Sequence, residues 1–281
     1  MIAVDRECAA VSRLFAKKSV RFKVPVRLKS ENPIFRRKGS SFNLKSLREY
    51  QPFDDLRKID WKLYGRTDRF YIKEFFEEEN ERFFLLADAS ASLSVFDLDF
   101  YRRFIASLAF IFLDLRFSLD LAACTRRLEQ SCLNLRHRRD LPRVMSFLER
   151  LPFAGGTDLV PVLKEVRDRF RPTTLFLFSD LFDPRLELRH LRPFRRVFLL
   201  HFHTPFAGLP LRFTQVELRD PESGRSLLLS HNPSSRRRIL GAEEEFLARF
   251  SGARGGCHYL RLERGAPRAP AYWRILEALY A

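Results

Sequence analysis

The segment 83-FFLLADASASLS-94 decides how this chain is read. Phe83 to Ala87 form an unbroken apolar run, the pattern of a strand covered on both faces, and helices on each side of a sheet supply that cover. The run stops at Asp88. Ser90 and Ser92 follow at two-residue steps with alanines between them, so in a turn leaving the strand the three polar side chains can face one point.

The same logic returns downstream in 173-TTLFLFSD-180, an apolar run ending in Asp180. Between the two lie 99-DFYRRFIASLAFIFLDLRF-117, with Phe104, Leu108, Ile111 and Leu115 at helical steps, and then 118-SLDLAAC-124 and 128-LEQSCLNL-135, which read as a hairpin. Helices are predicted at 140–151 and 159–170, separated by the glycine-marked loop 153-FAGGTD-158, and a helical stretch at 184–194. Beyond come a strand at 195–203, a rim hairpin near 212–230 around the turn "DPESGR", a helix at 235–250, a strand at 257–262 and a closing helix at 270–281. Apolar strands alternating with amphipathic helices predict α/β architecture: a Rossmann-like three-layer domain with a mostly parallel central sheet over residues 83–281. Residues 1–82 lack that alternation and are predicted to be an N-terminal extension packed on it.

Composition sets limits. With 281 residues, 46% apolar and 14% aromatic, the chain can bury a domain-sized core. Its longest apolar stretch, 106-ASLAFIFLDL-115, is too short to cross a bilayer and is broken by Asp114. Asp5, Arg6 and Glu7 stand where a signal peptide needs apolar residues, so a cytoplasmic location is expected. Cys8, Cys124, Cys132 and Cys257 have no zinc-type spacing and read as free thiols. His201 and His203 alternate along one strand and could share a metal, but a structural role is the simpler reading. The net charge of +16 is spread through nearly every segment instead of forming one basic face, which disfavours nucleic acid as partner.

In open parallel sheets ligands bind beyond the strands' carboxyl ends, at the point where strand order reverses. Asp88 and Asp180 should emerge on that edge, with Thr157 beside them. Carboxylates and hydroxyls are hard oxygen donors suited to Mg²⁺, with Mn²⁺ next. Two aspartates balance a divalent ion, and three neutral hydroxyls leave the ion able to take one more anion, such as a partner's acidic side chain.

Asp88, Ser90, Ser92, Thr157 and Asp180 together resemble the metal-ion-dependent adhesion site of von Willebrand factor A domains, a DxSxS stretch followed by a distant threonine and aspartate. Upstream, 47-LREYQPFDDLRKIDWKLYGRTDRFYIKEFFEEEN-80 resembles the bacterial family called domain of unknown function 58, whose pattern is close to REYxPGDDxRxIDWxxxARxxxxxVKEFxEE. The matching residues include Arg48, Glu49, Tyr50, Pro52, Asp54, Asp55, Arg57, Ile59, Asp60, Trp61, Arg66, Lys73, Glu74, Phe75, Glu77 and Glu78. Phe53 stands in place of the usual glycine and Gly65 in place of alanine. The resemblance implies a von Willebrand factor A-like fold and a partner among MoxR-type AAA ATPases or their clients.

The expected function is a non-catalytic, divalent-metal-dependent protein-binding module, an adaptor or co-chaperone. A metal-dependent phosphoesterase or phosphatase on the same rim, and a nucleic-acid binder using the basic surface, are the alternatives. Asp54, Asp55 and Asp60 read as a charge network with Arg48, Arg57, Lys58 and Arg66, since mixed charges at this density pair off.

Overall fold

The computed structural model describes residues 2–19, 44–52, 54, 56, 59–75, 82–204, 215–230, 232–251 and 255–280. The chain divides into two units, residues 18–80 and residues 1–17 with 81–281.

The larger unit is built on six strands: β3 (Phe83–Asp88), β4 (Leu119–Cys124), β5 (Leu128–Leu135), β6 (Thr174–Ser179), β7 (Arg196–His203) and β10 (Cys257–Glu263). They lie in the order β10-β7-β6-β3-β4-β5, parallel throughout except for β5, which returns antiparallel to β4. Numbered along this sheet alone, the order is the doubly wound 3-2-1-4-5-6, with its reversal between β3 and β6. The α/β class expected from the apolar runs is the one observed.

Why the runs are continuous is visible in the two faces. On one, Phe84 and Leu86 of β3, Leu175 and Leu177 of β6, and Val197 and Leu199 of β7 pack with Val162, Leu163 and Val166 of α5 (Leu159–Phe170) and Phe250 of α6 (Pro233–Ser251). The other face is aromatic. Phe83 and Phe176 meet Phe112 of α3 (Leu98–Asp114) at 5.0 Å, and Phe104 stacks at 4.9 Å on Tyr272 of α7 (Ala269–Tyr280). Each large apolar side chain so buried contributes roughly 1.5–3 kcal/mol. The helix α4 (Leu141–Glu149) follows β5, and the hairpin of β8 (Gln215–Arg219) and β9 (Ser226–Ser230) lies between β7 and α6 as a separate two-stranded sheet.

Two expectations change. The opening helix α1 (Cys8–Ser19) belongs to the α/β unit and not to an extension running to residue 82. Cys8, Val11 and Phe15 are buried, Phe15 lies 5.8 Å from Trp273, and Asp5 just before the helix accepts from the Tyr272 hydroxyl at 2.8 Å and pairs with Arg268. The predicted helical stretch at 184–194 is only a 3₁₀ turn at Leu188–His190. Pro184 and Pro193 bracket the segment, and Leu186, Leu191 and Phe194 are drawn into the sheet's core without a continuous helix.

In the smaller unit β1 (Leu44–Glu49) pairs antiparallel with β2 (Tyr71–Phe75), and α2 (Trp61–Thr67) lies between them in sequence. Ile59 and Ile72 are the buried apolar residues among its described residues and pair across a bridge.

Candidate metal centre at the strand switch point

Asp88 is the last residue of β3, and Asp180 follows the last residue of β6, so both carboxylates stand at the carboxyl edge where strand order reverses. Tyr101 of α3 ties the two strand ends together: its hydroxyl lies 2.7 Å from the Asp88 carbonyl and 3.0 Å from that of Phe178. The loop after Asp88 is stitched to the glycine loop by backbone bonds, Ala91 N to Gly155 O at 2.9 Å and Ala154 N to Ala89 O at 3.0 Å. Gly155 sits at φ +77°, a left-handed conformation glycine adopts without cost. Thus the Asp88, Thr157 and Asp180 loops meet on one rim.

The side chains converge further. Ser90 N donates to Asp88 Oδ1 at 2.9 Å, and the Ser90 and Ser92 hydroxyls are 3.0 Å apart. Ser179 Oγ donates to Asp88 Oδ2 at 2.6 Å and itself accepts from Leu181 N. Leu181, immediately after Asp180, is buried at φ +59°, a strained conformation for a branched side chain, held by that bond and by the aliphatic core.

Asp88 and Asp180 are almost fully buried, and among the described residues neither takes part in an ion pair. Burial, and then the neighbouring Asp180, push the Asp88 carboxyl up to about 7, against hydrogen bonds from Ser179 and Ser90 that lower it. Burial also raises Asp180, the Ser92 hydroxyl and Phe182 amide lower it, and the Glu222 carboxylate raises it again. Two buried acids side by side without a basic partner are costly as anions.

The donor set fits a hard divalent cation. Ligands at 2.0–2.1 Å on adjacent corners of a Mg²⁺ octahedron stand about 2.8–3.0 Å apart. The Ser90–Ser92 separation of 3.0 Å matches, as it also matches a hydrogen bond, so these hydroxyls can face a cation without spreading. Among the described residues no group of three or more His, Cys, Asp and Glu gathers at metal-binding spacing, so a cation here would depend on hydroxyls as well as the two aspartates.

Thr157 is placed on the rim but is not the cap of α5. That helix begins at Leu159, whose amide is accepted by buried Asp183 at 2.7 Å. Thr157 instead donates from its hydroxyl to Glu222 Oε1 at 2.9 Å and from its amide to Glu222 Oε2 at 3.0 Å. Glu222 belongs to the turn of the β8–β9 hairpin. The sequence reading found neither Glu222 nor Ser179, Tyr101 or Asp183. The serine in "FSD" adjoins Asp180 and could have been noticed, whereas the other three act across 13 residues or more.

The upstream motif forms its own cluster in the smaller unit. Arg48 grips Asp54 through both terminal nitrogens, at 2.7 and 2.5 Å, as the charge-network reading expects. Asp60 caps α2, accepting from Lys62 N and Leu63 N. Tyr50 N donates to Phe70 O, Glu49 lies 3.7 Å from Arg69, and Arg66 is exposed in the last turn of α2. Trp61, Tyr64, Phe70 and Tyr50 form a ring cluster in which Tyr64 stacks on Phe70 at 4.4 Å, while Trp61 is 61% exposed. Asp55, Arg57 and Lys58 lie outside the described residues, as do Phe53, Glu77 and Glu78.

The two histidines of β7 have protein partners. His201 Nδ1 is 2.6 Å from the Tyr259 hydroxyl and His203 Nε2 is 2.7 Å from Glu243, and burial pushes His201 down to about 3.

Residues 46–245 match the family model described as "Protein of unknown function DUF58". No curated protein matches the chain. Among solved structures, the conserved hypothetical protein BatB from Bacteroides thetaiotaomicron is similar at TM-score 0.45 and 16% identity, over 71% of this chain and 97% of that one. The SpRpn10 VWA domain is similar at TM-score 0.38 and 10% identity, over 69% and 94%. An uncharacterized membrane spanning protein from Vibrio fischeri gives TM-score 0.25 and 17% identity, over 70% and 98%. In the present chain no described helix is long and apolar enough to cross a membrane.

Proposed function

The chain belongs to the DUF58 family, and from that premise we propose that it is a protein-interaction module which docks an acidic side chain of its partner through a divalent cation held at the β3–β6 edge. One observation carries the reading: three loops bring Asp88 and Asp180, buried and without basic partners among the described residues, to one rim with the Ser90, Ser92 and Thr157 hydroxyls. A Mg²⁺ or Mn²⁺ ion bound there would supply the missing positive charge and a coordination position for an outside anion.

The chain's own residues set that position. Ser179 and the Ser90 amide fix the Asp88 carboxylate, Tyr101 fixes the spacing of the two strand ends, and the Ser90–Ser92 pair keeps two hydroxyls together. Ala89 and Ala91 leave no bulk between them. The proposed role is that of an adaptor or co-chaperone, with a MoxR-type AAA ATPase, or one of its clients, as the first partner to test.

The test is affinity capture from native lysate with Mg²⁺ and with EDTA, comparing wild type with the double variant Ser90→Ala, Ser92→Ala. Recovery of the ATPase by wild type in Mg²⁺ alone is expected. Equal recovery in all lanes would remove the cation from the reading.

A further inference from the structure

The turn of the β8–β9 hairpin carries an acid to the rim. Glu222 lies two residues after Asp220, whose carboxylate accepts from the Glu222 and Ser223 amides and from the Ser223 hydroxyl, so the turn is shaped by Asp220 and Glu222 is left free to project. Both Glu222 oxygens are engaged by Thr157. They are close enough to the neighbouring residue that a β-carbon at Gly156 would come within 3.1 Å of Oε2, and the Arg126 guanidinium crowds the same point.

The described residues of the hairpin show little else to hold it. Its described residues are almost all exposed, Leu227 and Leu228 at 59% and 64%. Among the described residues, the two bonds from Thr157 to Glu222 are its sole hydrogen bonds to the rest of the chain. An element with few buried contacts opens at low free energy.

The placement of the acid has chemical meaning. Thr157 Oγ1 donates to Glu222 Oε1 at 2.9 Å, a hydrogen-bond length that is also the separation of neighbouring corners in a Mg²⁺ shell. Glu222 also acts electrostatically on Asp180. It is therefore a carboxylate, presented on a turn, beside the hydroxyl where a partner's carboxylate would have to arrive.

We propose that Glu222 is an internal substitute for the partner's acid, seated beside Thr157 by the β8–β9 hairpin, so that the hairpin must lift before a partner can dock. This rests on the cation-dependent reading above. The partner it implies presents a glutamate or aspartate on a turn. When the internal acid holds the position nine-tenths of the time, the apparent affinity for an outside acid falls about tenfold.

The experiment uses the full chain as wild type, Glu222→Ala, Glu222→Gln and Asp88→Asn. Calorimetry with Mn²⁺ alone measures cation uptake, water-proton relaxation of the Mn²⁺-loaded protein counts exchangeable waters on the ion, and N-acetyl-glutamate amide serves as the carboxylate probe with N-acetyl-glutamine amide as control. The expected result is Mn²⁺ uptake by wild type and both Glu222 variants but not by Asp88→Asn. Glu222→Ala should also show faster water relaxation and about tenfold tighter probe binding than wild type. Glu222→Ala lies in an exposed turn, and Glu222→Gln, which removes the charge but leaves one oxygen to accept from Thr157, should fall between the two. Uptake by wild type with identical relaxation and probe affinity in Glu222→Ala would overturn the internal-acid role while leaving the cation site standing. Absence of uptake in every protein would overturn the cation reading and this inference together.

Discussion

Thr157 donates twice to Glu222, from its hydroxyl at 2.9 Å and its amide at 3.0 Å, and so joins a loop of the central sheet to a hairpin 65 residues away. Replacing Thr157 by valine keeps the shape and removes the hydroxyl's charge-assisted bond, worth about 1.5–3 kcal/mol. Amide hydrogen exchange over 215–230 should accelerate roughly ten- to hundredfold, with exchange in β3 and β6 unchanged. Unaltered hairpin exchange would show that something else holds it.

Asp88→Asn removes a buried negative charge while keeping an oxygen for the Ser90 amide. Without added cation the variant should be as stable as wild type or more so, with a melting temperature up by roughly 3 °C per kcal/mol gained. It should also lose any stabilisation by Mg²⁺. A thermal melt in EDTA and in Mg²⁺ reads both effects.

The pH dependence of that stabilisation has a definite sign. Burial holds the folded Asp88 carboxyl up near 7, above the value of about 3.9 for an unfolded chain, so its contribution to stability is full below pH 4 and is lost as pH rises through 7. A divalent cation compensates the charged form alone. The rise in melting temperature on adding Mg²⁺ should therefore be larger at pH 8 than at pH 5.5, and equal rises at both would count against Asp88 as a ligand.

Tyr101→Phe keeps a fully buried ring and deletes the hydroxyl that serves the carbonyls of Asp88 and Phe178. Leaving buried acceptors without that donor should cost about 1–3 kcal/mol in urea unfolding. Because the two strand ends are no longer tied, cation affinity should fall as well. A stability loss with unchanged cation affinity would limit Tyr101 to a packing role.

Asp183→Ala strips the first turn of α5 of the acceptor for Leu159 N. It also removes the longer of two ion pairs of Arg185, which lies 3.8 Å from Asp183 and 2.6 Å from Asp158. A loss of about 1–2 kcal/mol is expected from the missing cap, measured by chemical denaturation. Asp183→Asn, which can still accept, should recover most of it.

The sheet was legible because its strands are buried on both faces, and continuous runs such as Phe83–Ala87 and Leu175–Phe178 leave few other readings. Asp88 and Asp180 were legible for a related reason, each being the first charge after such a run. The partners that aim them were not. Tyr101 is one aromatic among many in a buried helix, and its role exists only because β3 and β6 lie side by side. Glu222 follows Asp220 in a turn whose own sequence accounts for every residue in it, so nothing local signals a distant contact. Asp183 is hidden in the same way, since it caps a helix 24 residues before it. The stretch at 184–194 failed as a helix because hydrophobic spacing was read without the two prolines.

A hairpin fastened through its tip is a tethered ligand, and tethering sets a threshold. A side chain delivered by a short linker acts at an effective concentration in the millimolar range, whatever the surrounding solution holds. If Glu222 fills the proposed position, free glutamate or isolated acidic peptides at lower concentration would not displace it. A partner succeeds by bringing a second foothold, and exposed Val95 and Phe182, three and two residues beyond Ser92 and Asp180, are the apolar surfaces nearest in sequence to offer one. On the proposal above, the latch would convert a site open to any carboxylate into one that answers to a shaped surface.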